Sequence, residues 1–178
     1  MFTQHMASNA RRLLSRSLIA IVLLGLSACS SLPKIGGEKP IDRARQFFEV
    51  YQQRSDFEAL MSFYAEDAQF EDLIYGHFAG NKSAIRSFLN WNDGKFSLAP
   101  GRLALKVDSL IEQDNLVVAR GHFSEFSYNN QSFGPWRFVI LLEFNDSGYI
   151  VRETDWINYT PRNKFLNGED LNNRLPRQ

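Results

Sequence analysis

One stretch, residues 55–89, constrains the fold most, because its hydrophobic period changes from helical to strand-like and back to helical. Its first part carries apolar residues at three- and four-residue spacing, which predicts a short amphipathic helix over residues 55–64: Phe57, Leu60, Met61 and Tyr64. Ala68, Phe70 and Asp72 then alternate with polar residues, as in a half-buried strand. If Phe70 points into the core, Asp72 does too. A carboxylate placed there is costly unless it is paired or used, so Asp72 is the first candidate functional residue.

The first 28 residues have the pattern of an export signal. Arg11, Arg12 and Arg16 form a basic start, and residues 18–24 form an apolar run that is too short to span a membrane comfortably. The sequence Leu26-Ser27-Ala28-Cys29 resembles the lipobox of bacterial lipoproteins, in which the cysteine is lipidated and becomes the new N-terminus. We therefore predict a signal peptide over 1–28 and a lipidated Cys29 with a flexible tether over 29–40. An ordinary secretory signal is the alternative, and the two adjacent arginines leave twin-arginine export open.

The resemblance to lipoproteins also implies a location. In that family an Asp after the cysteine favours the inner membrane, so Ser30 implies an outer-membrane lipoprotein that faces the periplasm. Each buried CH₂ of an acyl chain such as palmitate contributes about 0.8 kcal/mol, so several chains would anchor the protein permanently. Loss of the signal removes three arginines and leaves 17 basic against 20 acidic side chains, a net charge of −3. This charge argues against nucleic acid as a partner.

Residues 41–160 are predicted to form one domain, since 44% hydrophobic composition with 13% aromatic residues is enough for one good core. A first helix is predicted from an Asp42 cap to about Gln53, and a third helix after an Asn81 cap. Strands are predicted over 102–111, 116–128, 136–144 and 149–159, joined by polar turns. The fold class is therefore α+β, with three N-terminal helices packed on one face of a curved antiparallel sheet. Residues 161–178 are predicted to be a polar tail.

Several segments of this domain resemble the SnoaL-like and ketosteroid-isomerase-like families of the nuclear-transport-factor-2-like superfamily. The matching segments are Tyr64-Ala-Glu-Asp-Ala68 with Glu71-Asp72, then Gly80 with residues 84–89, and finally Gly148-Tyr-Ile-Val-Arg152 leading to Asp155-Trp156. The resemblance spans residues 41–160. It implies a sheet curled into a cone-shaped α+β barrel with a cavity at its open end, and often a homodimer formed through the sheet. It says little about function, because this scaffold carries enzymes, binders and assembly domains.

In ketosteroid isomerases, the aspartate at the position of Asp72 is the general base, and a Tyr with a protonated Asp forms the oxyanion hole. Those two positions fall on Phe48 and Ile140, which cannot donate hydrogen bonds. Losing such donors costs several kcal/mol of transition-state stabilisation, so this steroid-isomerase mechanism is not expected. Arg120 or His122 could instead polarise a carbonyl or an epoxide beside Asp72, as in SnoaL-type cyclases and the related epoxide hydrolases.

Strand alternation shows which side chains share a face, but it does not choose the inner face. The comparison with steroid isomerases turns nine of them inward: Arg120, His122, Phe126, Phe138, Ile140, Leu142, Arg152, Thr154 and Trp156. Glu153 and Asp155 would then face outward. The predicted site has three catalytic candidates, Asp72, His122 and Arg120. Its predicted ligand contacts are Phe48, Tyr75, Phe126, Ile140, Arg152 and Trp156.

Three functions remain open on this basis. The first is a lipid-anchored binder of a small, largely apolar ligand. The second is a cofactor-free isomerase, cyclase or hydrolase that uses Asp72, and the third is a protein-interaction module. Structural roles are also open, with Arg120 or Arg152 merely neutralising Asp72 and His122 hydrogen-bonded in the core. We expect no metal and no cofactor, because only two histidines, 45 residues apart, follow the predicted signal and no Gly-rich phosphate loop is present.

Overall fold

The computed structural model of the protein describes residues 37–160. The predicted signal peptide, the lipidated Cys29, Ser30, most of the tether and the polar tail lie outside the described residues. Within residues 37–160, no helix combines the length and the hydropathy needed to cross a membrane.

In the described part of the chain, three α-helices and one short 3₁₀ helix precede most of the sheet. They are α1 (Pro40–Gln53), α2 (Phe57–Met61), α3 (Lys82–Leu89) and the 3₁₀ turn Trp91–Asp93. Helix α1 begins before Asp42, because Pro40 has the fixed φ that suits a first helical position. Helix α2 is shorter than predicted: Asp56 caps it and Tyr64 already belongs to the first strand. The side chain of Asn81 accepts from the Ala84 amide and caps α3, as predicted.

Nine strands form two sheets within residues 37–160. They are β1 (Tyr64–Asp72), β2 (His77–Ala79), β3 (Phe96–Ser97), β4 (Leu105–Gln113), β5 (Leu116–Phe123), β6 (Phe126–Tyr128), β7 (Gln131–Phe133), β8 (Trp136–Phe144) and β9 (Ile150–Ile157). The large sheet has the order β2-β1-β9-β8-β5-β4, and the small one the order β3-β6-β7. The edge strands β2 and β4 do not pair with each other, so the large sheet is open.

The sheets differ from the predicted meander in two respects. Strand β1 runs parallel to β9, with Asp72 opposite Asp155, so the large sheet is mixed rather than wholly antiparallel. The predicted strand over 116–128 is two strands, because the chain leaves the large sheet at Ser124 and Glu125 and pairs again in the small sheet. The α+β class is confirmed.

The core lies between the helices and the inner face of the large sheet. Helix α1 packs on β4 and β5, and α3 packs on β1 and β2. Strand β8 turns Phe138, Ile140 and Leu142 inward, as predicted. Strand β5 turns a different set inward from the predicted one: Val117, Ala119, Gly121 and Phe123.

Gly121 is required by close packing on this inner face. A Cβ at this position would lie 2.1 Å from the Lys106 carbonyl oxygen and 2.7 Å from Cζ of Phe138. The missing side chain therefore lets β4 and the Phe138 ring approach β5 closely.

Candidate ligand-binding cavity

A cavity of 490 Å³ opens between the inner face of the large sheet, helix α3 and the small sheet. Its walls are mostly aromatic and its polar groups are few. The lining residues are Tyr51, Arg54, Phe70, Asp72, Tyr75, His77, Phe88, Leu89, Asn90, Asp93, Phe96, Phe123, Phe126, Tyr128, Phe133, Trp136, Asp155, Ile157 and Tyr159.

Asp72 ends β1 and reaches this cavity, as its alternation with Phe70 predicts. The side chain is only 1% exposed. Oδ1 accepts hydrogen bonds from the backbone amides of Ile74 and Tyr75, at 2.9 and 3.1 Å, and Oδ2 accepts one from the Tyr159 hydroxyl at 2.5 Å. These three donors hold the carboxylate in a single orientation. Neither Arg120 nor Arg152 neutralises it, in contrast to the structural alternative.

Two further carboxyl groups lie on strand β9, which pairs with the strand that ends at Asp72. Glu153 and Asp155 are 1% and 3% exposed, and both point to the inner face. The Tyr64 hydroxyl donates to Glu153, and the Glu153 and Asp155 carboxyl groups hydrogen-bond to each other. Oδ1 of Asp155 is buried and has no hydrogen-bond partner. The sheet register places Asp155 directly opposite Asp72.

Burial of these acids changes their protonation. Desolvation raises the pKa of Glu153 to about 7, although the hydrogen bonds from Tyr64 and Asp155 act in the opposite direction. Desolvation also raises the pKa of Asp155 well above its ordinary value, and the negative charges of Glu153 and Asp72 add to this effect. The pair therefore holds protons at a pH where an exposed carboxyl has lost them.

A cluster of aromatic rings stands next to these acids. The Tyr159 ring lies 4.5 Å from the Tyr75 ring and 5.0 Å from the Trp136 ring, measured between centroids. Phe126 packs edge-on against Trp136 at 5.0 Å and stacks on Phe96 at 4.9 Å. This cluster gives the cavity an apolar wall with exposed π faces.

The cavity also contains one fixed cation. The Arg54 guanidinium lies over the rings of Trp91 and Phe96, at 4.6 and 4.0 Å from their centroids. Burial lowers its pKa, while the nearby Tyr51 and Asp93 raise it. Arg54 is thus held by aromatic faces rather than by the acids on β9.

The described residues offer no cluster of three or more His, Cys, Asp or Glu side chains arranged to hold a metal ion. Of the three acids, Glu153 and Asp155 share a hydrogen bond, while Asp72 accepts hydrogen bonds from Ile74, Tyr75 and Tyr159.

The comparisons with known proteins place this geometry in a family. The sequence model of the SnoaL-like domain matches residues 44–153, more than half of the chain. The chain belongs to the SnoaL-like domain family. No curated protein matches it.

Solved structures share the fold of this SnoaL-like domain. A candidate SnoaL-like polyketide cyclase from Shewanella denitrificans is 14% identical, with a TM-score of 0.59 over 73% of this chain and 98% of its own. An LEH-like epoxide hydrolase from M. tuberculosis is 13% identical, with a TM-score of 0.55 over 67% and 82%. A hypothetical protein with a ketosteroid-isomerase-like fold from Catenulispora acidiphila, in complex with trimethylamine, is 12% identical, with a TM-score of 0.54 over 67% and 86%. At these identities the likeness establishes the fold alone.

Several predicted site residues lie on the opposite, outer face of the SnoaL-like sheet. Arg120 is exposed there, and Trp156 is 59% exposed. Arg152 lies 3.9 Å from Glu71 and 3.7 Å from Glu143, so it forms ion pairs outside the cavity. The prediction that these three residues face inward was wrong, because β5 and β9 present the other side-chain set to the core.

His122 is buried but does not reach the cavity. Its Nδ1 lies 3.8 Å from Oδ2 of Asp108, and Lys106 and Arg137 are its cross-strand neighbours on β4 and β8. Burial lowers the pKa of His122, and the charge of Asp108 opposes this shift. The residue therefore cannot act as an electrophile beside Asp72.

The remaining predicted contacts divide between the cavity and the core. Tyr75 and Phe126 line the cavity. Phe48 and Ile140 are fully packed in the core and are not among the residues that line it. Phe48 instead stacks against Phe138, with ring centroids 6.3 Å apart.

Sequence reasoning missed the two acids on β9 and the Tyr159 hydroxyl. The prediction that Glu153 and Asp155 face outward was wrong. The misleading signal was the comparison with steroid isomerases, which turned Arg152, Thr154 and Trp156 inward. The useful signal was Ile157, which shares its parity with both acids and is buried.

Proposed function

We propose that this SnoaL-like domain binds a small, largely apolar ligand in its cone cavity. The observation that carries the proposal is the 490 Å³ cavity, whose walls are aromatic and whose buried polar groups converge at Asp72 and Asp155. Small-molecule sites have this anatomy: a mostly apolar cleft with a few placed polar groups that fix orientation. A cavity filled by side chains would instead have favoured a pure interaction module.

The trimethylamine complex of the Catenulispora protein supports the proposal, since a relative in fold holds a small molecule. The test is native mass spectrometry of the purified protein, with extraction and identification of any co-purifying molecule. A retained molecule that is lost in Phe126→Asp, which places a charge in the aromatic wall, supports the proposal. Retention that survives this substitution would place the ligand elsewhere and contradict it.

The proposed location is the periplasmic face of the outer membrane, through lipidation of Cys29. This part of the proposal rests on the signal pattern in residues 1–29. Metabolic labelling with a palmitate analogue tests it: label is expected on the wild type and absent from Cys29→Ser. Label that persists in Cys29→Ser, or an unlabelled wild type, would overturn it.

A second candidate is cofactor-free acid–base catalysis in the same cavity. It is favoured by the pairing of an Asp72 carboxylate, which accepts three hydrogen bonds, with Asp155, whose pKa burial raises. Two carboxyl groups with contrasting environments suit a base and an acid. The acid partner of Asp72 would then be Asp155, in place of Arg120 or His122.

The test of catalysis is deuterium incorporation beside the carbonyl of small aryl ketones incubated with the protein in D₂O. Incorporation that Asp72→Asn abolishes supports catalysis. Ketones that bind but remain unlabelled favour binding without turnover.

The outer sheet face is proposed to form a homodimer interface. It exposes Trp156 and Val139 beside a shallow groove of 360 Å³ that also includes Arg120. Exposed apolar side chains grouped on one face often mark an interface.

A further inference from the structure

One buried carboxyl group on the cavity wall has few partners. The Asp155 side chain is 97% buried, and among residues 37–160 only the Glu153 carboxyl forms a hydrogen bond with it. Buried polar atoms in folded proteins nearly always have a hydrogen-bond partner. Asp155 also lines the cavity, so a ligand that donates a hydrogen bond can approach this carboxyl group from the cavity side.

The acids around this carboxyl group also form no ion pair with a described residue. Asp72, Glu153 and Asp155 lie together, and no ion pair joins any of them to a lysine or arginine within the described part of the chain. Elsewhere on the domain, by contrast, acids such as Glu58 and Glu66 pair with Arg86 and Lys82. With no basic partner, Glu153 and Asp155 keep protons near neutral pH, and a bound cation would stabilise their carboxylate form.

The aromatic wall suits the same kind of ligand. The Tyr159 hydroxyl donates to Asp72, while its ring packs against Tyr75 and Trp136. A cation held at the acids would therefore lie next to π faces, which attract positive charge. The more distant rings of Phe126 and Phe133 would contact an apolar body.

We propose that the ligand of this cavity carries an ammonium group, which donates hydrogen bonds to Asp155 and is neutralised by Asp155 and Asp72, with its apolar body along the aromatic wall. This inference rests on the proposed binding function and adds the chemical class of the ligand.

Binding of such a cation is coupled to proton release. In the empty cavity, burial raises the pKa of Glu153 to about 7, and burial with the Glu153 charge raises the pKa of Asp155 well above its ordinary value, so the pair still carries protons near neutral pH. An ammonium ion favours the carboxylate form, so one proton leaves the Glu153–Asp155 pair for solvent as the cation enters. Affinity for the cation therefore rises with pH, since fewer protons must be displaced.

The other titratable and charged groups near the Asp155 carboxyl do not produce this pH dependence of cation affinity. They are Asp72 and Tyr64 from β1, Glu153 from β9, Tyr51 from α1 and Tyr159 after β9, with Arg54 and His77 on the same cavity. Burial raises the pKa of Tyr51, Tyr64 and Tyr159, so the tyrosines stay neutral near pH 7. Arg54 is held over Trp91 and Phe96 and has Asp93 as a nearby acid.

The experiment compares two probes that differ in charge alone. The full chain in lipid nanodiscs is titrated with 2-phenylethylamine and with 2-phenylethanol at pH 6 and pH 8, and empty nanodiscs serve as the blank. We expect the amine to bind about tenfold more tightly than the alcohol at pH 8. The affinity for the amine should be about tenfold lower at pH 6 than at pH 8, because its binding displaces a proton. The alcohol should bind equally at both pH values.

Two variants locate the effect. Asp155→Asn should abolish the preference for the amine, while Asp108→Asn, the same change on the outer face, should leave it within about twofold. Equal or tighter binding of the alcohol in the wild type would overturn the ammonium inference and leave the binding function standing. Binding of neither probe would overturn both. If Asp155→Asn fails to fold, the comparison of the two probes on the wild-type protein at the two pH values still tests the proposal.

Discussion

The two faces of the large sheet differ in whether their polar groups are buried or exposed. Along β9 the adjacent residues Asp155 and Trp156 show the contrast: the acid is buried on the inner face and the indole is mostly exposed on the outer face. The inner face buries carboxyl groups that accept hydrogen bonds from tyrosine hydroxyls. Two of these groups, Glu153 and Asp155, also hydrogen-bond to each other. The outer face places Arg152 between two acids in water-exposed ion pairs, which contribute little to stability. The difference shows that the polar groups whose burial costs most free energy lie on the cavity side, where a ligand can contact them.

The largest expected effect tests the close packing of the inner face. Gly121→Ala should cost about 4 kcal/mol of unfolding free energy or prevent folding, because its Cβ meets the Lys106 carbonyl at 2.1 Å. Urea denaturation measures this. Val118→Ala, on the outer face of the same strand, should cost about 1 kcal/mol. A Gly121→Ala protein as stable as the wild type would show that β4 and β5 are not this close.

The second prediction concerns Glu153 and pH. Its folded-state pKa of about 7 exceeds the ordinary 4.5. Between these values the folded protein holds a proton that the unfolded chain has lost, so stability is highest at low pH and falls as pH rises through this window. Glu153→Gln should therefore be more stable than the wild type at pH 8 by up to about 3 kcal/mol, and similar to it at pH 4.

The control for this pH effect is Glu143→Gln on the outer face. Glu143 is partly exposed and lies near Arg152. Thermal unfolding from pH 4 to pH 8 should show the same slope for this variant as for the wild type. A Glu153→Gln protein with the same pH dependence of stability as the wild type would contradict a raised pKa at Glu153.

The third prediction tests the orientation of Asp72. Tyr159→Phe removes the hydroxyl that donates to Oδ2 and should cost about 1–3 kcal/mol, the cost of leaving a buried acceptor without its donor. Tyr149→Phe is the matched control, since Tyr149 is exposed, and it should change stability by less than about 0.5 kcal/mol. Equal small effects for both variants would mean that Asp72 does not depend on Tyr159.

The smallest expected effect lies on the outer face. Trp156→Ala should change monomer stability by less than about 0.5 kcal/mol, while Trp136→Ala on the cavity side should cost about 3 kcal/mol. Chemical cross-linking of the full chain should lose its dimer band with Trp156→Ala. A large loss of monomer stability with Trp156→Ala would reverse the assignment of the two faces.

Local patterns predicted the elements and one site residue. The alternation of Ala68, Phe70 and Asp72 placed the last of them inside, and the Asn81 cap placed the start of α3. Strand β8 was predicted with its observed bounds, because its apolar residues alternate without interruption. These features depend on near neighbours in sequence, whose periodicity is visible without a fold.

The orientation of β5 and β9 was decided by tertiary contacts. Each strand carries apolar residues in both of its alternating sets, and a shift of one residue exchanges the two faces. The parallel pairing of β1 with β9 brought Asp155 opposite Asp72, and the close approach at Gly121 set the face of β5. The sequence by itself therefore determined the helices, most of the long strands, the family and the inward acid at position 72. Only the folded sheet decided which other acids join it, because burial of a charged group depends on what surrounds it in space.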